Sequence, residues 1–270
     1  MIRVAMVGAI GFGGREFMRL VSAHPEAEVV AAVELEGGKR LDEVLPAFRK
    51  TTGLVLETLD PESLAKRCDV AFLAVPGKAS MALGKQLRDA GIRVMDLGSD
   101  FRLKDPAAFK AYYHADHTCP ELLDEAVYGH VPWYRDQIRD AQLVAVPGCF
   151  PISIITALKP VIEAAAPEVP VIVNSVTGVS GGGRALNEVF HFPNMNENLK
   201  AYKIGVHQHI PEIEQELGFT APVQFVPHVA PLTRGILSTS VLRPSRGIDV
   251  AELFKCYEEE PFVRVLPEGQ

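Results

Sequence analysis

Five short apolar runs divide the first half of the chain: IRVAMV (2–7), EVVAAVEL (28–35), DVAFLAVP (69–76), IRVMDLG (92–98) and QLVAVPG (142–148). Each has the length of a buried strand. The segments between them carry helical spacing. Phe17, Leu20 and Val21 share one face of a helix closed by Pro25, and residues 61–67 and 79–90 read as further helices. Strands that alternate with helices demand a mostly parallel sheet, an α/β arrangement. After Gly148 the texture changes. PVIVNSVTGVSGGGR, APVQFVPHVAPLTRG and ILSTSVLRPS are longer runs rich in Val, Thr and Ser, and helical patterns become sparser. This predicts a first domain over 1–148 and a second, α+β domain over 149–270.

A chain of 270 residues has room for one large domain or two smaller ones. Its net charge of -7 argues against nucleic acid or an anionic membrane as partner. A local basic cluster would still serve an anionic small molecule. No apolar stretch approaches the roughly 20 residues that cross a bilayer, and the first residues lack the features of a signal peptide. The four cysteines, Cys68, Cys119, Cys149 and Cys256, show neither CxxC pairing nor metal-ligand spacing, which points to a reducing, cytoplasmic setting and no metal.

The first strand runs into Gly8-Ala9-Ile10-Gly11-Phe12-Gly13-Gly14, which opens the first helix. Glycines at 8, 11 and 14 allow a tight turn and close approach of backbone to a pyrophosphate, while the helix start supplies free N–H groups. The spacing is GxxGxxG rather than GxGxxG, and a plain packing turn is the alternative. With its strand and helix the loop reads as the core of a Rossmann-type dinucleotide-binding domain. Glu34, at the end of the second strand, stands where a carboxylate accepts hydrogen bonds from the ribose of NAD. Lys39 and Arg40 follow closely and would suit the 2′-phosphate of NADP.

Pro147-Gly148-Cys149-Phe150-Pro151 joins the fifth strand to an apolar helix. A cysteine at a helix start feels positive potential, which favours the thiolate, and Cys149 is the candidate nucleophile. Cys68, Cys119 and Cys256 read as small buried apolar groups. His207-Gln208-His209-Ile210-Pro211-Glu212 offers two histidines and a carboxylate for moving protons at an acyl carbon. On a strand, HxH would point both rings the same way and would also suit a metal, but no third ligand lies close in sequence. Ser180-Gly181-Gly182-Gly183-Arg184 is a glycine run able to cradle an oxyanion. Arg102, Arg184 and Arg234 are candidates for gripping carboxylate or phosphate through a planar fork, with exposed ion pairs as the alternative.

Taken in order, GAIGFGG with the following HP, DLGSDFRL, PGCFP, TGVSGGGR, NENLKAY, HQHIPEIEQ and FVPHVAPLTRGIL resemble the N-acetyl-γ-glutamyl-phosphate reductases, in the group that includes aspartate-semialdehyde dehydrogenase. The resemblance implies an α+β catalytic and dimerisation domain of the semialdehyde dehydrogenase type. It implies an acyl phosphate as substrate, NADPH as usual reductant with NAD possible, a place in arginine biosynthesis, and a homo-oligomer, dimer or tetramer. Cys149 becomes the acylated nucleophile, and His209 or His207 the acid/base. Gly8 to Gly14, Glu34, Lys39, Arg40, Ser180 and Gly181 fall to the cofactor; Arg102, Ser180, Arg184 and Arg234 fall to the substrate. Departures cluster around these sites. Val146 stands where the family has Asn, Gln208 where it has Arg or Lys, Val75-Pro76-Gly77 for Leu-Pro-His, Glu34-Leu35 for Ser-Arg, and YGHVPW for YGLPE. Family members also extend further, with a final segment returning to the first domain. A related acyl-phosphate reductase, acting on aspartyl or on carrier-linked aminoadipyl or glutamyl groups, is one alternative. A non-catalytic dinucleotide sensor is another.

Overall fold

The first-half runs pair into one seven-stranded sheet with every neighbour parallel. The computed structural model describes residues 1–218, 223–267 and 269. Its strands here are β1 (Ile2–Val7), β2 (Ala27–Val33), β3 (Leu56–Glu57), β4 (Val70–Leu73), β5 (Arg93–Asp96), β6 (Val127–Tyr128) and β7 (Leu143–Ala145). Their order is β3-β2-β1-β4-β5-β7-β6. The chain walks outward from β1 to β3 and then returns to the other side of β1, so the switch point lies between β1 and β4. Ligands of such sheets bind beyond the carboxyl ends of the strands at that point. Along β1, Ala5 and Val7 join one apolar core while Met6 joins another. Both faces are therefore covered, which is why these strands read as continuous apolar runs rather than alternating ones.

The second sheet holds β8 (Ile172–Gly178), β9 (Lys200–Ala201), β10 (Gln224–Ala230) and β11 (Ile236–Val241), in the order β11-β8-β10-β9. β8 and β10 run parallel, and the edge strands are antiparallel to their neighbours. Val173, Ser175 and Phe225 are fully buried on the inner face. A chain of hydroxyls fastens the Cys149–Ala164 helix there: Ser153 meets Ser238 at 2.8 Å, and Ser238 meets Ser175 at 2.7 Å. On the outer face Leu237 and Val241 remain 69% and 57% exposed. Ala221 and Pro222, at the head of the run APVQFVPHVAPLTRG, lie outside the described residues, as do Glu268 and Gln270.

The chain divides into two units, Met1–Gly129 with Tyr134–Pro147, and His130–Trp133 with Gly148–Gln270. His130–Trp133, taken with the first domain in the sequence reading, thus falls with the second. There His130 Nε2 meets Thr156 Oγ1 at 2.9 Å, and the Trp133 indole N–H donates to the Tyr257 hydroxyl at 3.2 Å. Among the described residues no helix is long and apolar enough to cross a membrane.

Two local expectations are corrected. The first helix runs Phe12–Val21, so it begins inside the glycine run that reads as a loop. It takes in Gly13 and Gly14, and at Gly14 helix and turn pack so closely that a Cβ would collide with the Gly8 carbonyl oxygen. His207 and His209 do not lie on a strand. They occupy the turn leading into the Ile210–Leu217 helix, where Pro211 fits the first helical turn.

Candidate active site

At the carboxyl end of β1, Gly8 turns the chain with φ +88°, and a Cβ there would meet the Ala74 carbonyl oxygen at 2.4 Å. Gly8 and Gly14 are therefore glycine for the sake of the protein's own packing. Gly11 and Gly13 are different. A Cβ at either meets nothing nearer than 3.5 Å, so packing does not demand a bare backbone there. A pyrophosphate lying against the loop would demand it, and the helix that starts at Phe12 offers its free N–H groups to that anion. These residues fit a dinucleotide. Ala9 is fully buried. The Ile10 N–H donates to Glu34 Oε1 at 2.8 Å, and the Ile10 carbonyl accepts from Arg15 Nε at 2.9 Å. Phe12 is 42% exposed, with the Arg15 guanidinium above its ring. Lys39 and Arg40 are exposed beyond β2, and Arg40 is paired with Asp42 at 2.8 Å.

The DLGSDFRL segment lies past β5. The Asp100 carboxylate accepts from the Lys78 and Met81 N–H groups and from the Ser80 hydroxyl, so it caps the Ala79–Asp89 helix. Asp96 is fully buried, with Oδ1 on the Gly98 N–H and no hydrogen-bond partner for Oδ2 among the described residues. Burial pushes its carboxyl up to about 7, with Asp100 adding to the effect. Arg102 was read as a grip for substrate. It is 7% exposed and gives Nε to the Val146 carbonyl and Nη2 to the Leu97 carbonyl, both at 2.8 Å. Those bonds tie the ends of two strands together and occupy the fork.

In the second unit Cys149 is exposed and is the first residue of the Cys149–Ala164 helix, with Gly148 as N-cap. The Gly148 N–H donates to Glu212 Oε1 at 2.8 Å, and Glu212 is fully buried. The carboxylate thus lies behind the turn that presents Cys149. The His209 N–H donates to His207 Nδ1 at 3.1 Å. That bond gives His207 the tautomer with hydrogen on Nε2. Burial, with Lys203 contributing, lowers the His207 imidazole to about 4, so it is neutral at ordinary pH. The two imidazoles lie 4.8 Å apart, each against an edge of the Phe150 ring. Tyr202 packs 5.6 Å from the His207 ring. Its phenol is raised to about 12, first by burial and then by Cys149. Tyr202 was not picked out from the sequence, where only its place in NENLKAY hinted at a role.

The glycine run Val179–Gly182 forms a 3-10 turn. Its main chain pairs with the loop of Arg234: the Val179 N–H donates to the Leu232 carbonyl at 2.8 Å, and the Ser180 N–H to the Thr233 carbonyl at 3.2 Å. This brings the segments of Ser180 and Arg234 together. Gly182 is glycine because the Phe190 ring packs where its Cβ would be. Gly181 has no such crowding, and Arg184 and Arg234 are exposed. Among the described residues no three His, Cys, Asp or Glu side chains gather as a metal site.

A parallel sheet with a glycine loop at its switch point, continued by an α+β unit whose longest helix opens on a cysteine, is the build of a dinucleotide-dependent dehydrogenase of the semialdehyde type. Residues 3–141 match the semialdehyde dehydrogenase NAD binding domain, and residues 149–270 match the semialdehyde dehydrogenase dimerisation domain. The chain belongs to the N-acetyl-γ-glutamyl-phosphate reductase family of semialdehyde dehydrogenases. It is 45% identical to the N-acetyl-γ-glutamyl-phosphate reductase of Symbiobacterium thermophilum, over 100% of this chain and 80% of that protein. It is 43% identical to that of Halorhodospira halophila, with the same shares covered. Among solved structures, a probable aspartate-semialdehyde dehydrogenase from Pseudomonas aeruginosa shares the fold at TM-score 0.70 and 18% identity, covering 100% of this chain and 82% of that one. The aspartate-semialdehyde dehydrogenase of Candida albicans with NADP does so at TM-score 0.69 and 16% identity, covering 96% and 76%.

Proposed function

We propose that the chain reduces N-acetyl-γ-glutamyl phosphate to N-acetylglutamate semialdehyde with release of phosphate, a step of arginine biosynthesis, and that Cys149 carries the acyl group. The observation that carries this reading is an exposed thiol on the first residue of a sixteen-residue helix, with a buried carboxylate fixing the backbone immediately before it. The Cys149 thiolate attacks the acyl carbon, the C–S bond forms, and the C–O bond to phosphate breaks. A nicotinamide dinucleotide held on the Gly8–Gly14 loop, NADPH being the reductant usual in the family, would supply the hydride that the thioester needs. His209 holds the proton required at the acyl oxygen, and His207, neutral and accepting from the His209 backbone, positions it. When the thiohemiacetal collapses, the C–S bond breaks and the thiol is restored. Glu212 positions Cys149 through Gly148 and does not meet the substrate. Gly8 to Gly14 hold the pyrophosphate. Ser180, Gly181, Arg184 and Arg234 receive the substrate's anionic groups, while Arg102 braces the ends of β5 and β7 through the Leu97 and Val146 carbonyls.

A second copy of the chain covers the outer face of the β11-β8-β10-β9 sheet, where Leu237 and Val241 stand exposed in a dimerisation domain. Four free cysteines suit a reducing, cytoplasmic setting. The test is phosphate-dependent reduction of NADP+ and of NAD+ with N-acetylglutamate semialdehyde, run beside aspartate semialdehyde. Turnover of the acetylated substrate that is lost in Cys149→Ser is the expected result. Equal or better turnover of aspartate semialdehyde, or full activity without the thiol, overturns the assignment.

A further inference from the structure

The end of β2 is where the chain meets the adenosine ribose of any dinucleotide lying on the glycine loop. Val33, the last residue of that strand, pairs with Val7, and its carbonyl accepts the Gly8 N–H at 2.9 Å, so the next residue, Glu34, is held at the loop. Its own N–H donates to the Glu57 carbonyl at 2.9 Å. Its side chain reaches back to the Ile10 N–H at 2.8 Å. A side chain tied at both backbone and carboxylate is fixed in place. A carboxylate has room for further hydrogen bonds after accepting one, so it can still take a sugar hydroxyl.

The surroundings disfavour a phosphate. From Glu34 to Glu43 there are four carboxylates against two cations. One of those cations, Arg40, is committed in bidentate fashion to Asp42, at 3.0 Å from Nε and 2.8 Å from Nη2. Beside β3, Arg67 is likewise spent on both oxygens of Glu57, at 2.7 and 2.8 Å. A 2′-phosphate dianion would enter a net negative neighbourhood and lie against Glu34. A 2′-hydroxyl would meet an acceptor.

We propose that Glu34 is the residue that sets cofactor choice in this chain, accepting the 2′-hydroxyl of NADH and repelling the 2′-phosphate of NADPH, so that NADH is bound at least as tightly as NADPH. This rests on the function proposed above only in requiring that a nicotinamide dinucleotide occupies the loop. The test is direct binding to the whole protein, read as dissociation constants for NADH and NADPH from the change in nicotinamide fluorescence. In the wild type the NADH constant is equal to or below that for NADPH. Glu34→Gln keeps an acceptor for Ile10 and removes the charge, and it tightens NADPH roughly ten- to hundredfold relative to NADH, the scale of one charge-assisted contact. Asp42→Asn frees Arg40 without touching the ribose position and shifts the ratio the same way by a smaller factor. A wild type that binds NADPH tenfold or more tightly than NADH overturns the proposal, as does a Glu34→Gln ratio unchanged in a protein of normal melting temperature. Failure to bind either dinucleotide would instead overturn the functional assignment, and this proposal with it.

Discussion

Cys149 takes its character from residues distant in sequence. The Gly148 N–H is held by Glu212, sixty-four positions away. Removing that acceptor strands a buried donor, which costs about 1–3 kcal/mol. We therefore expect Glu212→Ala to lower the melting temperature and to slow alkylation of Cys149, while Glu212→Gln, which keeps the acceptor, restores both. Iodoacetamide rates together with thermal melts decide it, and an unaffected Glu212→Ala would remove Glu212 from the site. His209→Asn should lower kcat by roughly 100-fold, the scale of a lost acid or base. A larger kcat loss in His207→Asn would reverse their roles. Asp96 gives a pH signature. Its folded-state value of about 7 lies above the ordinary 3.8. Between those values the folded chain keeps a proton that the unfolded chain has released. The contribution of Asp96 to stability is therefore full below about pH 4 and falls as pH rises towards 7. Urea unfolding at pH 5 and pH 8 should show that loss in the wild type and less of it in Asp96→Asn; equal slopes would mean that Asp96 is ionised throughout. Cys149, His207 and His209 could be named as candidates from the sequence because their residue types carry chemistry. Glu212's bond to Gly148, Tyr202's place beside the histidine and the burial of Arg102 were not, since each depends on a contact across the fold.

The glycine loop shows at the scale of an element how one motif can answer two demands. Gly14→Ala drives a methyl into the Gly8 carbonyl, and Gly8→Ala places one against the Ala74 carbonyl at a positive φ. Each should destabilise the protein by about 1–3 kcal/mol. Gly11→Ala and Gly13→Ala meet only ordinary contacts. They should change stability by less than about 0.5 kcal/mol yet weaken dinucleotide binding roughly tenfold, near 1.4 kcal/mol. Denaturant midpoints set against dissociation constants separate the pairs. If Gly11→Ala binds dinucleotide as the wild type does, the pyrophosphate lies elsewhere. The strands and the loop were readable because burial on both faces leaves an unbroken apolar run. The two-residue strands β3 and β6 were not, since a pair of residues carries no periodicity. The helix start at Phe12 was also missed, because glycines read locally as loop are here the price of close packing.

For the whole molecule, the open face of the second sheet is the feature that asks for a partner. Leu237→Asp puts a charge where a second copy is proposed to sit. We expect it to give a monomer by light scattering with circular dichroism unchanged; a wild type that is monomeric at micromolar concentration would sink the idea. The two-part division was visible from the change in texture after Gly148, but no pattern announced that His130–Trp133 would fall with the later unit. That piece joins residues far along the chain: the Trp133 indole bonds Tyr257, 124 positions on, and the Tyr257 hydroxyl in turn bonds the Thr156 carbonyl. The second unit therefore begins before the first is finished, and this fastening waits for a residue 124 positions further along the chain. No single recombination point separates the two. A gene fusion that swapped the latter half for a homologue's at Cys149 would carry the wrong wedge along with the old front half. Inheritance of one unit without the other requires three crossovers, two around these four residues and one at Gly148.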